Sequence, residues 1–258
     1  MGELFKVIAH AVREKEPVAV VTEVQGPNPG AKMLVGEETV TGSLGDEKLD
    51  SAVIDNARGF IDMAQTGTRT YGPQGQGNSE EVEVFIQAFS QPPDMYVLGA
   101  VNLANAVVRL GKFLGYRVTV VDARKIFANQ ERFPEADEVV VQWPNEFLET
   151  APISRRTAIV ILTHDPKFDI PILEFALKSP VGYLGAMGSR RTHEKRKANL
   201  REIGIADEQM ERIHAPLGLD LGARTPEETA VSIMAQIIAL RTGRSGGHLD
   251  EASGRIHA

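Results

Sequence analysis

Six cationic or potentially cationic side chains, Arg190, Arg191, His193, Lys195, Arg196 and Lys197, fall within eight residues directly after Gly182, Gly185 and Gly188. In a chain of formal net charge −7 such a cluster asks for a physical reason. If a helix begins at Ser189, each cation in its first turn opposes the positive end of the helix dipole, at a cost of a few tenths to about 1 kcal/mol. A glycine turn before that helix leaves backbone amides free to converge on one spot, and Arg190 and Arg191 can each grip an anion bidentately. The pattern predicts a seat for a negatively charged ligand built from Gly185, Gly188, Ser189, Arg190 and Arg191. A solvated basic helix face is the alternative that the residues leave open.

Three further groups carry possible ligand contacts. In "LGAVNLA", Gly99 and Ala104 fit a dinucleotide-binding turn, but Val101 stands where the second glycine would let a pyrophosphate approach. Asp122 closes the apolar run "RVTVVD" about twenty residues further on, where a ribose-binding acid belongs, and Arg124 beside it suits a 2′-phosphate. Asp122 could equally cap the turn that follows it. Thr163, His164 and Asp165 end another apolar run, and His164 titrates near neutral pH, so His164 and Asp165 are candidates for acid–base work or for purely structural hydrogen bonds. Asp220 sits in a loop with Gly218 and Gly222 that could fold over the same crevice.

These groups acquire meaning from the elements that carry them. From Asp94 onward, near-continuous Val/Ile/Leu runs ("MYVLGA", "YRVTVVD", "EVVVQ", "TAIVILTH", "VGYLGA") alternate with amphipathic stretches ("NLANAVVRLGKFLG", "FDIPILEFALK"). That alternation predicts a doubly wound parallel sheet covered on both faces, and in such a sheet ligands bind beyond the carboxyl ends of the strands. "RTPEETAVSIMAQIIALRTG" reads as a closing helix: Thr225 caps it, Pro226 opens it, Glu228 completes a capping box and Gly243 ends it. Its predicted apolar face is Ala230, Ile233, Met234, Ile237 and Ile238. Before "SQPPD", whose prolines suit a linker, the chain mixes a helix over Phe5–Glu14, a strand over Val18–Val24, a hairpin about Gly36, a helix bearing Leu49, Val53, Ala57, Phe60 and Ile61, and a strand over Glu81–Phe89. The expected architecture is therefore α/β: a smaller α+β domain over 1–90, a Rossmann-like domain over 94–242 and a flexible tail over 243–258.

Composition narrows the function. With 42% hydrophobic residues in 258, the chain can fill the cores of two modest domains. No apolar run is long enough to span a bilayer, and the first residues mix acids with bases, so a cytoplasmic location without membrane association is expected. Cysteine is absent, which removes thiolate nucleophiles and thiolate metal ligands. The basic cluster is local while the whole is acidic, which argues against nucleic acid as a partner.

Together "TVVDAR", "RFPEADEVVV", "AIVILTHDPKFDIPIL", "GYLGAMGSRRTH" and "RIHAPLGLDLGARTPEETAVSI" resemble the XdhC/CoxI family, accessory proteins of molybdenum hydroxylases such as xanthine dehydrogenase and carbon monoxide dehydrogenase. "GPNPGAKMLV" and "TGSLG" are similar to that family's N-terminal domain. The resemblance implies a protein that binds molybdenum cofactor, as molybdopterin or its dinucleotide form, assists its sulfuration through a sulfurtransferase or an intact XdhC-like relative, and delivers it to an apo-hydroxylase. It implies a stoichiometric assembly factor rather than a turnover enzyme, and a homodimer. Two departures stand out. After "GSLG" the family usually continues through further glycines to a cysteine, whereas here Asp46, Glu47, Lys48 and Leu49 follow. In the first Rossmann turn the family usually has Gly-x-Gly-His, whereas here Val101 and Asn102 occupy the last two positions. Two alternatives remain at this point: an NAD(P)-dependent oxidoreductase using Asp122 and His164, and a degenerate scaffold or regulatory partner that binds no small molecule.

Overall fold

The computed structural model describes residues 3–14, 16–75, 81–163 and 166–251. It divides into two compact units at Pro92 and Pro93. In the first, α1 (Glu3–Arg13) precedes β1 (Val18–Gln25), β2 (Lys32–Gly36), β3 (Val40–Gly42), α2 (Glu47–Asp62), β4 (Thr66–Tyr71) and β5 (Val82–Phe89). The strands form one antiparallel sheet in the order β3-β2-β1-β5-β4. Helices cover both faces of β1, which is why its sequence is apolar without alternation. Ala19 and Val21 pack with Leu49, Val53, Ala57, Phe60 and Ile61 of α2, while Val18 packs with Ala11 of α1. Asp46, the first residue of the departure from the family pattern, caps α2 by accepting from the Lys48 and Leu49 amides, both at 3.0 Å. Strand β4 escapes sequence analysis because its segment, "TGTRTY", is an edge strand with only Tyr71 buried, so no apolar alternation announces it.

The second unit runs β6 (Asp94–Leu98), α3 (Asn102–Phe113), β7 (Arg117–Val121), β8 (Glu138–Val140), α4 (Pro144–Thr150), β9 (Ala158–Ile161), α5 (Pro166–Lys178), β10 (Tyr183–Ala186), α6 (Arg190–Glu202), α7 (Asp207–Met210), β11 (Ile213–His214) and α8 (Pro226–Arg241). Its sheet is parallel throughout, in the order β11-β10-β9-β6-β7-β8. The Rossmann-like α/β expectation is thus met. One apolar layer unites α3 and α8 with Val97, Val118, Val120 and Val160, and the other packs Leu98, Ile159, Ile161 and Leu184 against α4, α5 and α6. Because β6 pairs with both β7 and β9, the chain reverses direction across the sheet there, opening a crevice at the strands' carboxyl ends.

The capping box of α8 forms as its sequence predicts, with the Glu228 amide donating to Thr225 Oγ1 at 3.2 Å and the Thr225 amide to Glu228 Oε2 at 3.1 Å. Ile238 departs from the predicted apolar face and stays 38% exposed on the outer flank, while Ala230, Ile233, Met234 and Ile237 are buried. Three short elements, α4, α7 and β11, have no sequence counterpart above, because two to seven residues carry too little periodicity to be recognised. Among the described residues no helix is long and apolar enough to cross a membrane.

One buried ion pair ties the second unit together near the crevice. Asp169, in the first turn of α5, and Arg196, in α6, are 0% and 1% exposed, and Arg196 Nε donates to Asp169 Oδ2 at 2.9 Å. Removing one partner of such a pair strands a buried charge, at a cost of about 3–5 kcal/mol, whereas replacing both with apolar groups can be close to neutral. Asp169→Leu alone is therefore expected to lose about 3–5 kcal/mol in urea denaturation, and the Asp169→Leu/Arg196→Met double variant to recover most of it.

Candidate functional site

The crevice at the strand ends holds a cavity of about 320 Å³ lined by Gly99, Asp122, Arg124 and Thr163 together with Val101, Trp143, Leu162 and Phe168. Gly99 follows β6 with φ +112°, and a Cβ there would come within 3.2 Å of the Leu162 carbonyl carbon and of Thr163 Cγ2 and N. Only glycine lets this turn pass so close to the end of β9 in that conformation. Val101 is the residue immediately before α3, offers that helix no side-chain cap, and puts its branched side chain into the cavity.

Asp122 is buried and all its acceptor directions are used. Its Oδ2 accepts from the Ala100 amide at 2.9 Å and from Arg124 Nη2 at 2.8 Å, and its Oδ1 from the Arg124 amide and Nε, each at 2.9 Å. Burial alone would push its pKa up, but the Arg124 hydrogen bond and the two amides outweigh it, and the carboxyl lies below its ordinary value. Asp122 thus latches the turn after Gly99 to the turn after β7. The Arg124 guanidinium, 56% exposed, also covers the Phe127 ring at 4.4 Å.

Thr163 reaches from the cavity wall into the interior, where its hydroxyl donates to Asp169. Asp169 holds Arg196, and Arg196 Nη2 donates to the Met187 carbonyl at 2.6 Å, just ahead of Gly188. Arg196 Nη1, in contrast, is buried without a hydrogen-bond partner. It lies 3.3 Å from where a Cβ on Gly188 would sit, and Gly188 has φ +137°. Ser189 caps α6 by accepting from the Thr192 amide at 3.1 Å. Arg190 and Arg191 are exposed and form no ion pair with the described residues.

The predicted site residues therefore fall into two neighbouring groups. Gly99, Asp122, Arg124 and Thr163 line the cavity; Gly188, Ser189, Arg190 and Arg191 surround the start of α6, one strand away. Gly185 belongs to neither. It lies inside β10, where a Cβ would come within 2.5 Å of the Tyr183 hydroxyl, so its smallness accommodates that ring. Asp220 is exposed in a loop held to α8 by the Gly218 amide bonded to Gln236 Oε1 at 2.8 Å and the Leu219 amide bonded to the Ser232 carbonyl at 3.1 Å, and it is not part of the cavity wall. His164 and Asp165 lie outside the described residues. Trp143 and Phe168, which dominate one wall of the cavity, were not singled out in sequence, and neither were Asp169 and Arg196. The basic run itself divides: Arg196 and His193 turn inward, and burial, followed by the charges of Lys197 and Arg196, holds the His193 pKa below its ordinary value. Among the described residues no group of three or more His, Asp or Glu side chains is placed to hold a metal ion.

Residues 95–237 match the XdhC Rossmann domain, and residues 11–72 match the XdhC and CoxI family. The chain belongs to that family. Among its relatives, a protein of Bacillus subtilis described as a probable xanthine dehydrogenase component is 29% identical over 63% of this chain and 47% of its own length. The molybdenum cofactor insertion chaperone PaoD of Escherichia coli is 37% identical over 36% of this chain and 29% of its own length. The chain spans less than half the length of the curated relatives it matches. A crystal structure of a xanthine dehydrogenase from Bacillus halodurans superposes with a TM-score of 0.55 at 19% identity, covering 96% of this chain and 97% of the other, so the two share a fold. For this XdhC-family chain, the names of its relatives support an accessory role toward molybdenum hydroxylases.

The latch through Asp122 has a pH signature. A carboxyl whose pKa is lowered by folding contributes stability above its unfolded value, about 3.9, and that contribution is lost as pH falls through the lower folded value. Asp122→Asn is expected to cost about 1–3 kcal/mol at neutral pH, the range for hydrogen bonds to a buried charge. The difference between wild type and variant in urea denaturation should shrink on acidification toward about pH 3; a constant difference would show that the carboxylate charge does not hold the turn.

Proposed function

We propose that this chain is a maturation factor for a molybdenum hydroxylase, holding molybdenum cofactor as cargo in the crevice of its Rossmann-like unit and passing it to the apo-enzyme in the cytoplasm. The observation that carries the binding site is the unpartnered Nη1 of buried Arg196 against Gly188, at the head of α6. A buried guanidinium nitrogen without an acceptor is costly, by about 1–3 kcal/mol or more, and an oxyanion accepted at that spot would remove the penalty. Arg190 and Arg191, exposed and without ion pairs among the described residues, add charge at the same helix end, where the dipole also favours an anion. Molybdenum cofactor carries a phosphate or a dinucleotide on its pterin, so its anionic end suits this seat while its ring system occupies the adjoining cavity.

Two features favour cargo handling over nicotinamide-dependent hydride transfer. Val101 fills the approach that a pyrophosphate needs, and the Asp122 carboxylate already accepts four hydrogen bonds, leaving none for ribose hydroxyls. The residues would then act by positioning alone: Arg190, Arg191 and Arg196 hold the anionic end, and the cavity wall excludes water from the ring.

Deleting the gene in its host is expected to abolish the activity of a molybdenum hydroxylase, and protein purified from that host to carry molybdenum cofactor; failure of both overturns the reading. Arg190→Ala/Arg191→Ala is expected to weaken binding of extracted cofactor about tenfold or more while changing stability by less than about 0.5 kcal/mol, because both side chains are exposed. Equal affinity in calorimetric titrations of the two proteins would reduce the pair to a charged surface.

A further inference from the structure

The wall of the cavity opposite the Asp122 latch is aromatic. Trp143, immediately before α4, and Phe168, in the first turn of α5, stack with ring centroids 4.9 Å apart and planes 22° from parallel. The indole remains 45% exposed although it borders a cavity otherwise lined by Val101, Pro144 and Leu162 on its apolar side. A third ring cannot enter between the two, because a sandwich needs about 7 Å, twice the contact distance of carbon atoms. The pair is instead a preassembled flat surface for a ring to lie against, which lowers the entropy lost on binding.

The size of the space sets the size of the guest. About 320 Å³ lies at the lower end of the range of small-molecule sites, roughly 300–1,000 Å³, which suits one planar ring system with a short polar arm. The polar side of the cavity carries Arg124, whose Nε and Nη2 are bound to Asp122 and whose Nη1 has no hydrogen bond among the described residues. With Val101 closing the turn after Gly99, the arm is directed to Arg124 rather than to the start of α3.

We propose that this cavity is a binding site for a planar nitrogen heterocycle bearing a phosphate, with the ring flat against the Trp143–Phe168 wall and the phosphate on the outer edge of Arg124. Apolar contact and aromatic stacking hold the ring, and a cation holds the arm; a ringless phosphate lacks the first and a bare nucleoside lacks the second. The proposal deepens the cargo reading by naming the part of the ligand this cavity takes, yet its test uses purified protein and commercial or synthetic probes. A positive result here with a negative gene deletion would leave a heterocycle-binding protein without the maturation role, so the two can fail separately. Both the base of a nucleotide and a phosphorylated pterin have the stated chemistry.

The chain contains a single tryptophan, so its fluorescence reports on this wall alone. The purified full chain is titrated with adenosine 5′-monophosphate, cytidine 5′-monophosphate and the phosphate ester of 6-hydroxymethylpterin, with ribose 5-phosphate and adenosine as controls, and each titration is repeated by calorimetry. At least one ring phosphate is expected to change Trp143 emission saturably with half-saturation below about 1 mM, while ribose 5-phosphate leaves it unchanged. Whether the nucleotides or the pterin ester bind more tightly decides the source of the ring. Phe168→Leu is expected to weaken the ring phosphates about three- to tenfold, and Arg124→Gln to weaken them while leaving adenosine unchanged. Absence of a saturable signal from all three ring phosphates up to about 10 mM, or ribose 5-phosphate binding as tightly as they do, overturns the proposal. Because the wild-type titration is decisive by itself, a variant that fails to fold does not rescue it.

Discussion

The crevice depends on a charge that cannot stay where its sequence neighbours are. Arg196 belongs to a basic run on α6, yet its guanidinium is buried beside Asp169 of α5. Taking two ions out of water costs several kcal/mol each, so the pair persists only with close geometry and further hydrogen bonds. Thr163 donates to the same carboxylate, and the Met187 carbonyl accepts from the guanidinium, which fastens the ends of β9 and β10 to two helices at once. The strand ends that border the crevice are thereby rigid, and a binding surface built on rigid elements loses little entropy when a ligand arrives.

That network also links the two regions where ligand contacts are concentrated. On one side Thr163 faces the cavity, with Asp122 holding the turn after Gly99 in place from across it. On the other, Arg196 supports the turn through Met187 and Gly188 into α6, with one nitrogen left over. Aromatic wall, latched turn and basic helix end therefore share a single polar core, although each belongs to a different stretch of chain. The cations of α6 divide accordingly: those facing solvent remain available to an anion, while Arg196 serves the interior first.

The two departures from the family pattern are absorbed differently. Asp46 becomes a helix cap, a role that any chain opening α2 at that point would need filled, and the change leaves the α2 face of the sheet intact. Val101 changes the chemistry of the crevice itself, replacing backbone access with an apolar side chain that joins Trp143 and Phe168 in lining the cavity. A branched residue at that position favours contact with a ring over contact with a pyrophosphate.

Local pattern was enough to determine the α/β class, the long strands and helices of the second unit, the caps of α8 and the glycine turns after β6 and β10, because periodicity and capping act within a few residues. It also brought Gly99, Asp122, Arg124 and Thr163 to the right end of the sheet, since the crevice follows from parallel strand order. Edge strand β4 and the short elements were illegible, lacking enough apolar repeats to stand out. Only the tertiary structure decided that Asp122 commits its carboxylate to a latch, that Gly185 serves the Tyr183 ring, that Arg196 turns inward to Asp169, and that Trp143 meets Phe168. Each of these is a contact between side chains separated by the intervening fold, whose formation depends on desolvation and packing across elements, and neither quantity is encoded in the spacing of residues along one segment.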